Sequence, residues 1–287
     1  MDAFFELARD EDSSFCCYES ENNACNPHFH SNIEIAFVLE GELSVTISGQ
    51  TRLLKAGDLS VATGFEVHNY ATPRRSRIQL VIIPVSMVGR FMSLARNQVF
   101  STPFLEKCDR TADIREAVLH LADYNDTTDS MIVKGYLYVI LGHLVEELGL
   151  SEYGNRQGDI GPVRDILMYI EDHYLDDITE SKTAQEFGYN KYYFSRLFNQ
   201  TVGCGFLHYV NTIRARHAAS LIHNTDMPLT QICYASGFHN TRTFARAFKE
   251  LYNVSAQDYR RGNVPYSDMD NEAIKFRALR NGNPHTK

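Results

Sequence analysis

Four residues in the first quarter of the chain could bind an ion or a polar ligand: His28, His30 and Glu34, spaced H-x-H-x-x-x-E, and His68, which follows Gly57-Asp58. Imidazoles with one carboxylate suit a divalent transition metal. The same groups can hydrogen-bond the hydroxyls of an effector directly. On a strand, positions 28, 30 and 34 share parity and would point to one face. Three readings stay open: a metal site, direct effector contact without metal, and a vestigial site. No nucleophile triad, phosphate loop or nucleotide fingerprint accompanies the four residues, so an enzyme is not expected. An isomerase, dioxygenase or lyase remains the rival from another class.

A second constellation is a repeat. Phe194-Ser195-Arg196-Leu197-Phe198 recurs fifty positions later as Phe244-Ala245-Arg246-Ala247-Phe248. Each copy follows a glycine–aromatic pair, Gly188-Tyr189 and Gly237-Phe238. At roughly 100° per residue, both Phe of a copy fall on one helix face and the Arg on the opposite one. The outward faces then carry Tyr192, Arg196 and Asn199 in the first copy, and Arg242, Arg246 and Lys249 in the second. A helix with buried Phe behind and basic or polar groups in front suits the DNA major groove. The glycine ahead of each supplies the positive φ of a helix-turn-helix turn. The pattern predicts two such units in tandem.

The rest of the chain must position these groups. Ile33–Leu39, Gly41–Ile47, Leu59–Val61 and Ile78–Ile83 read as short strands with glycine punctuation, which suggests a small β-barrel or jelly roll. From Val85 to Leu150 the period becomes helical, with Ile114, Val118, Leu119 and Leu121, then Val133, Tyr136, Leu137, Ile140, Leu144 and Leu148. This segment is either a hairpin covering the barrel or a helix–helix dimer seam, and both can hold. Residues 151–162 carry three glycines and read as a linker. A helix from about Phe206 to His223 joins the two repeats, with Phe206, Val210, Ile213, Leu221 and Ile222 on its apolar side. Residues 263–287 read as a tail, periodic only near Ala273–Leu279.

Net charge is −8, which by itself argues against nucleic acid. Its distribution argues otherwise, because Tyr174–Gly262 holds ten Lys/Arg against seven Asp/Glu. The six cysteines form no C-x-x-C pair, and reduced thiols are expected, Cys16-Cys17 serving packing rather than redox chemistry. The opening residues lack a basic region and apolar core, and the longest apolar run falls far short of a membrane span. A cytoplasmic protein without membrane contact is expected.

From about Val163 to Arg261 the chain resembles the DNA-binding domain of the AraC family of bacterial transcription regulators. The resemblance rests on the two repeats, on Ile213-Arg214 and Ala218 between them, on Ile232 with Gly237-Phe238, and on Val254–Arg260. It implies base reading by Tyr192 and Arg196, and by Thr241, Arg242 and Arg246, with Lys191, Asn199 and Lys249 alongside. Four positions depart from the family pattern. Glu180 and Thr183 stand where Leu is usual, implying looser packing of the first unit. Asn253 replaces a usual Gly and Ala256 a common Pro. The N-terminal half resembles cupins, with His28, His30, Glu34 and His68 at the ligand positions. There Thr63 and Phe65 stand where Pro and Gly are expected, and Thr72 where Asn is.

The expected architecture is an N-terminal cupin-type β-barrel (jelly roll) with covering helices over residues 1–150, the helical part from about 85 dimerising in the seam reading. A linker, 151–162, leads to an all-α domain of two helix-turn-helix units joined by a linker helix, 163–262. The expected function is sequence-specific regulation of a bacterial operon in response to a small effector, a sugar or related polar metabolite. Expected partners are double-stranded DNA, the effector, a second copy of the chain and, for an activator, RNA polymerase. No cofactor is required on this reading, and a divalent metal is the alternative.

Overall fold

The computed structural model describes residues 3–6, 15–95, 98–124, 131–152 and 160–262. The chain divides into two compact units, Met1–Ile160 and Gly161–Lys287. Most of the expected linker and the whole expected tail, with its helix near Ala273–Leu279, lie outside the described residues.

The first unit runs β1 (Phe4–Phe5), β2 (Cys16–Glu21), β3 (His28–Phe29), β4 (Ile33–Ile47), β5 (Gln50–Lys55), β6 (Leu59–Ala62), β7 (His68–Ala71) and β8 (Ser76–Ile83). A 3-10 turn and α1 (Gly89–Leu94) follow, then β9 (Gln98–Phe100), β10 (Phe104–Leu105), α2 (Asp109–Ala122), α3 (Met131–Leu148) and β11 (Leu150–Glu152). Where the sequence suggests separate strands before and after Glu40, the structure has one strand of 15 residues. Its first half pairs with β6 and β8, its second with β5 and β7, all antiparallel. Two sheets, β10-β6-β4-β8-β2 and β1-β3-β7-β4-β5, therefore share β4. The ladder is irregular between Val38 and Glu40, and Gly41 follows at φ +74°. A Cβ there would stand 2.0 Å from the Arg75 carbonyl oxygen, so only glycine lets the strand pass from one sheet to the other.

Alternation along β4 separates two cores. Ala36, Val38, Leu43, Val45 and Ile47 pack with Ala62, Tyr70, Ile78 and Leu80 inside the barrel. Ile33, Ile35 and Phe37 face the other way and pack with Ile114, Val118, Val133, Leu137, Ile140 and Leu144 of α2 and α3. Each such aliphatic side chain stabilises by about 1.5–3 kcal/mol on burial. The helical hairpin thus covers the barrel. Val133, Leu137, Ile140, Leu144 and Leu148 are buried against the barrel within one chain. Glu34 has the parity of Ala36 and so projects into the barrel with the inner core. Buried Cys17 has its thiol pushed up to about 11, chiefly by burial, which disfavours its thiolate.

The second unit is helical: α4 (Pro162–His173), α5 (Glu180–Glu186), α6 (Lys191–Val202), α7 (Phe206–Asn224), α8 (Leu229–Ala235), α9 (Thr241–Tyr252) and α10 (Ala256–Arg260). Helices α6 and α9 are built alike. Asn190 and Asn240 cap them, accepting from the Tyr193 and Thr243 amides at 2.9 and 2.8 Å. Both end on a left-handed residue, Gly203 and Asn253, so Asn253 takes the conformation its place in the motif requires. The joining helix is not one-sided as the sequence suggests. Tyr209, Asn211, Thr212, Arg214, Ala215, Ala218 and Ala219 are buried besides the expected Phe206, Val210, Ile213 and Ile222, while Leu221 is only partly so. It is a central shaft with both units packed around it.

Candidate functional site

The barrel brings all four cupin-like residues together. One ligand atom from each of His28, His30, Glu34 and His68 lies within 4.8 Å of the others, and all four side chains are buried. They do not converge by the parity of one strand. β3 ends at Phe29, residues 30–32 leave the ladder, and β4 begins at Ile33. His28 pairs directly with His68 of β7, and the turn through His30 returns Glu34 to the same place. That turn is held by the Phe65 amide, which donates to the His30 carbonyl at 2.7 Å. Phe65 itself sits at φ +65°, which explains why cupins favour glycine at this position. Glu66 braces the loop by accepting from the Ser48 hydroxyl and from the Thr63 amide and hydroxyl.

Ring orientation follows from the outer nitrogens. His28 Nδ1 lies 2.9 Å from the Asn26 carbonyl, and His68 Nδ1 2.9 Å from that of Glu66. A carbonyl only accepts, so each Nδ1 carries the proton, and in the neutral ring Nε2 presents a lone pair. Glu34 accepts from the Tyr70 hydroxyl at 2.8 Å, meets His30 Nε2 at 3.1 Å and lies 3.7 Å from His68 Nε2. Burial alone would raise the Glu34 pKa, but the two histidines hold its carboxyl well below the usual range. Burial pulls His68 down, yet Glu34 outweighs it and the ring is shifted upward. Burial and the neighbouring His68 take His28 down to about 3. The pocket therefore draws positive charge to the space between His68 and Glu34 while keeping His28 neutral.

This arrangement fits a divalent transition ion. Two donors about 2.1 Å from one ion lie roughly 3–3.4 Å apart, close to the 3.1 and 3.7 Å of the Glu34 pairs. Nδ1 of His30 and Nε2 of His68 are buried without a hydrogen-bond partner. Outer carbonyls on His28 and His68 are the supports that metal-binding imidazoles use. Sequence reasoning missed Tyr70, which shares strand parity with His68 two residues away and could have been found by that spacing.

The other candidate is the pair of helix faces. Lys191, Tyr192, Arg196 and Asn199 of α6 are exposed, as are Thr241, Arg242, Arg246 and Lys249 of α9. Phe194 and Phe198, and Phe244 and Phe248, are buried behind them. Tyr192 is 88% exposed, unusual for so large a side chain without a partner. Gly188 and Gly237 adopt φ +71° and +86° in the two turns. Thr183 of α5 is fully buried, so the first unit is not loosely packed there, but its hydroxyl has no partner.

Arg214, also missed as a functional residue, fixes one helix-turn-helix against the other. Buried on α7, it donates from Nε to the Tyr174 carbonyl at 2.7 Å and from Nη2 to that of Asp176 at 2.9 Å. The loop it holds ends α4, ahead of the first helix-turn-helix. Gly237, in the turn of the second unit, packs against that loop, its absent Cβ falling 2.8 Å from the Tyr174 oxygen.

Residues 15–84 match the family described as a cupin domain, and residues 183–262 the family described as a helix-turn-helix domain. An uncharacterized HTH-type transcriptional regulator of Staphylococcus aureus (strain MSSA476) is 33% identical over 234 residues, 80% of this chain and 31% of that protein. The uncharacterized HTH-type regulator YijO of Escherichia coli (strain K12) is 31% identical over 124 residues, 42% of this chain and 43% of that one. The chain thus spans only about a third of the length of the first of these relatives. Among solved structures, fatty-acid-bound ToxT from Vibrio cholerae aligns with 87% of this chain and 95% of its own, at 15% identity and a TM-score of 0.41. The chain therefore joins a cupin barrel to a two-unit helix-turn-helix domain. Residues 183–262 carry a helix-turn-helix domain of the AraC type, and residues 15–84 a cupin domain.

Proposed function

We propose that the chain is a ligand-responsive transcription regulator that reads DNA with α6 and α9 and senses a small molecule through the barrel. The observation that carries this reading is the duplicated, Asn-capped helix with an exposed basic face and buried Phe behind it. Tyr192, Arg196, Thr241, Arg242 and Arg246 are assigned to bases, and Lys191, Asn199 and Lys249 flank them. Entry into successive major grooves, about 34 Å apart, would give each protomer an asymmetric site. A second copy of the chain and, for an activator, RNA polymerase are the protein partners. Among the described residues no helix is long and apolar enough to cross a membrane, in keeping with a cytoplasmic role.

His28, His30, Glu34 and His68 are assigned to hold a divalent transition ion, a reading supported by the lone pairs their outer hydrogen bonds direct inward. When bound, such an ion supplies a Lewis-acid anchor for hydroxyl or carboxylate oxygens. The four donors close around a space of ionic size, so a sugar or related polar metabolite would meet the cluster at its edge. The chain's own residues orient the donors and exclude water. The arrangement serves binding, and no side chain is assigned to catalysis.

Footprinting and gel shift test the proposal together. Arg196→Ala and Arg246→Ala should each cost about 1–3 kcal/mol on specific DNA and relax one base position. Equal weakening on random DNA would reassign that arginine to phosphate. Glu34→Ala should abolish effector response with basal DNA binding intact; a full response in that variant overturns the sensor assignment.

A further inference from the structure

The chain's first strand lies against the barrel cluster. β1 pairs in parallel with β3, with Phe4 opposite His28. The Phe4 amide donates to Pro27 and the Glu6 amide to Phe29. The Phe4 ring stacks on His28, with centroids 5.7 Å apart. This pairing sets Glu6 Oε2 3.6 Å from His28 Nε2, the nitrogen left with a lone pair by the bond to Asn26. A carboxylate oxygen and an imidazole lone pair both accept. Facing each other in a mostly buried place, they repel unless a proton or a cation stands between them. Their separation is close to that of two donors on one ion.

Charge points the same way. Three neutral imidazoles and Glu34 around a divalent ion leave one positive charge uncompensated in a buried space, which is costly. A second carboxylate makes the assembly neutral, and Glu6 is placed to supply it.

We propose that Glu6 is a fifth donor to the barrel cation, so that cation binding and the docking of β1 onto β3 are one coupled event. The inference rests on the cation reading of the four-residue cluster. It gives the N-terminal strand a sensory role: the strand is pinned when the ion is present and released when the ion is removed.

The test uses the full chain as wild type, Glu6→Gln and His30→Ala, titrated with Zn2+ against a chromophoric chelator. Hydrogen exchange of the Phe4–Glu6 segment is followed in parallel. Glu6→Gln preserves the side-chain shape and the β1–β3 backbone bonds. Zn2+ should bind the wild type, with Glu6→Gln weakened about ten-fold or more, in the range seen for perturbed metal sites. Zn2+ should slow exchange of the segment about ten-fold in the wild type and leave it unchanged in Glu6→Gln. Zn2+ affinity and protection equal in wild type and Glu6→Gln, but lost in His30→Ala, would overturn the role of Glu6 and leave the four-residue site standing. Failure of the wild type to bind Zn2+ at all would overturn the cation reading, and this inference with it.

Discussion

Gly188 and Gly237 hold the same place in the two turns and adopt similar left-handed φ, +71° and +86°. Replacing each with alanine should nevertheless give different results. At Gly188 a Cβ would meet nothing within 4 Å. The cost there is that of a left-handed L-residue, about 1–2 kcal/mol. At Gly237 the same local cost applies, and the Cβ would also fall 2.8 Å from the Tyr174 oxygen, 3.0 Å from Arg214 Nε and 3.1 Å from Leu175 Cα. Two of these atoms are backbone and the third is held by a 2.7 Å bond to Tyr174, so none can swing aside freely. Overpacking of this kind adds about 1–3 kcal/mol, and displacing the Arg214 bonds adds about 1.5–3 kcal/mol more. The expected losses are therefore about 1–2 kcal/mol for Gly188→Ala and about 4 kcal/mol or more for Gly237→Ala. Urea titration of the full chain, with hydrogen exchange resolving residues 180–202 from 229–252, separates the two. Equal losses, or a larger loss at Gly188, would refute the close approach of the second turn to the α4 loop.

Thr183→Val should stabilise the first unit by about 1–2 kcal/mol, because it removes a fully buried hydroxyl without a partner while keeping the side-chain shape; an unchanged or lowered urea midpoint counts against this. Arg214→Met should orphan the Tyr174 and Asp176 carbonyls and loosen the two units. Specific affinity should then fall about ten-fold, or about 1.4 kcal/mol, while an extra base pair between half-sites becomes better tolerated in gel shifts; unchanged spacing preference would show that the joining helix alone sets the geometry.

The two candidate sites were legible to different depths, for physical reasons. The helix faces follow from a period set by the α-helix itself, so Phe194 and Phe198 behind Arg196 could be placed from sequence alone. The barrel cluster was legible as a list of donors but not as a geometry. Shared parity of His28, His30 and Glu34 requires one continuous strand, and the chain leaves the ladder between His28 and Glu34. Glu6 joins His28 only through the pairing of β1 with β3, and nothing local in the sequence specifies which strands pair. Arg214 was hidden for a related reason. On a helical wheel it reads as a charged residue breaking an apolar face, and only the folded α4 loop supplies the two carbonyls that satisfy it. Those carbonyls lie just ahead of the first helix-turn-helix, and the glycine beside them lies in the turn of the second. The joint between the two DNA-reading units is therefore a three-part contact: a buried arginine, a helix-ending loop and a turn with no room for a Cβ. On this reading the spacing of the two helix faces is set at that contact as much as by the length of α7.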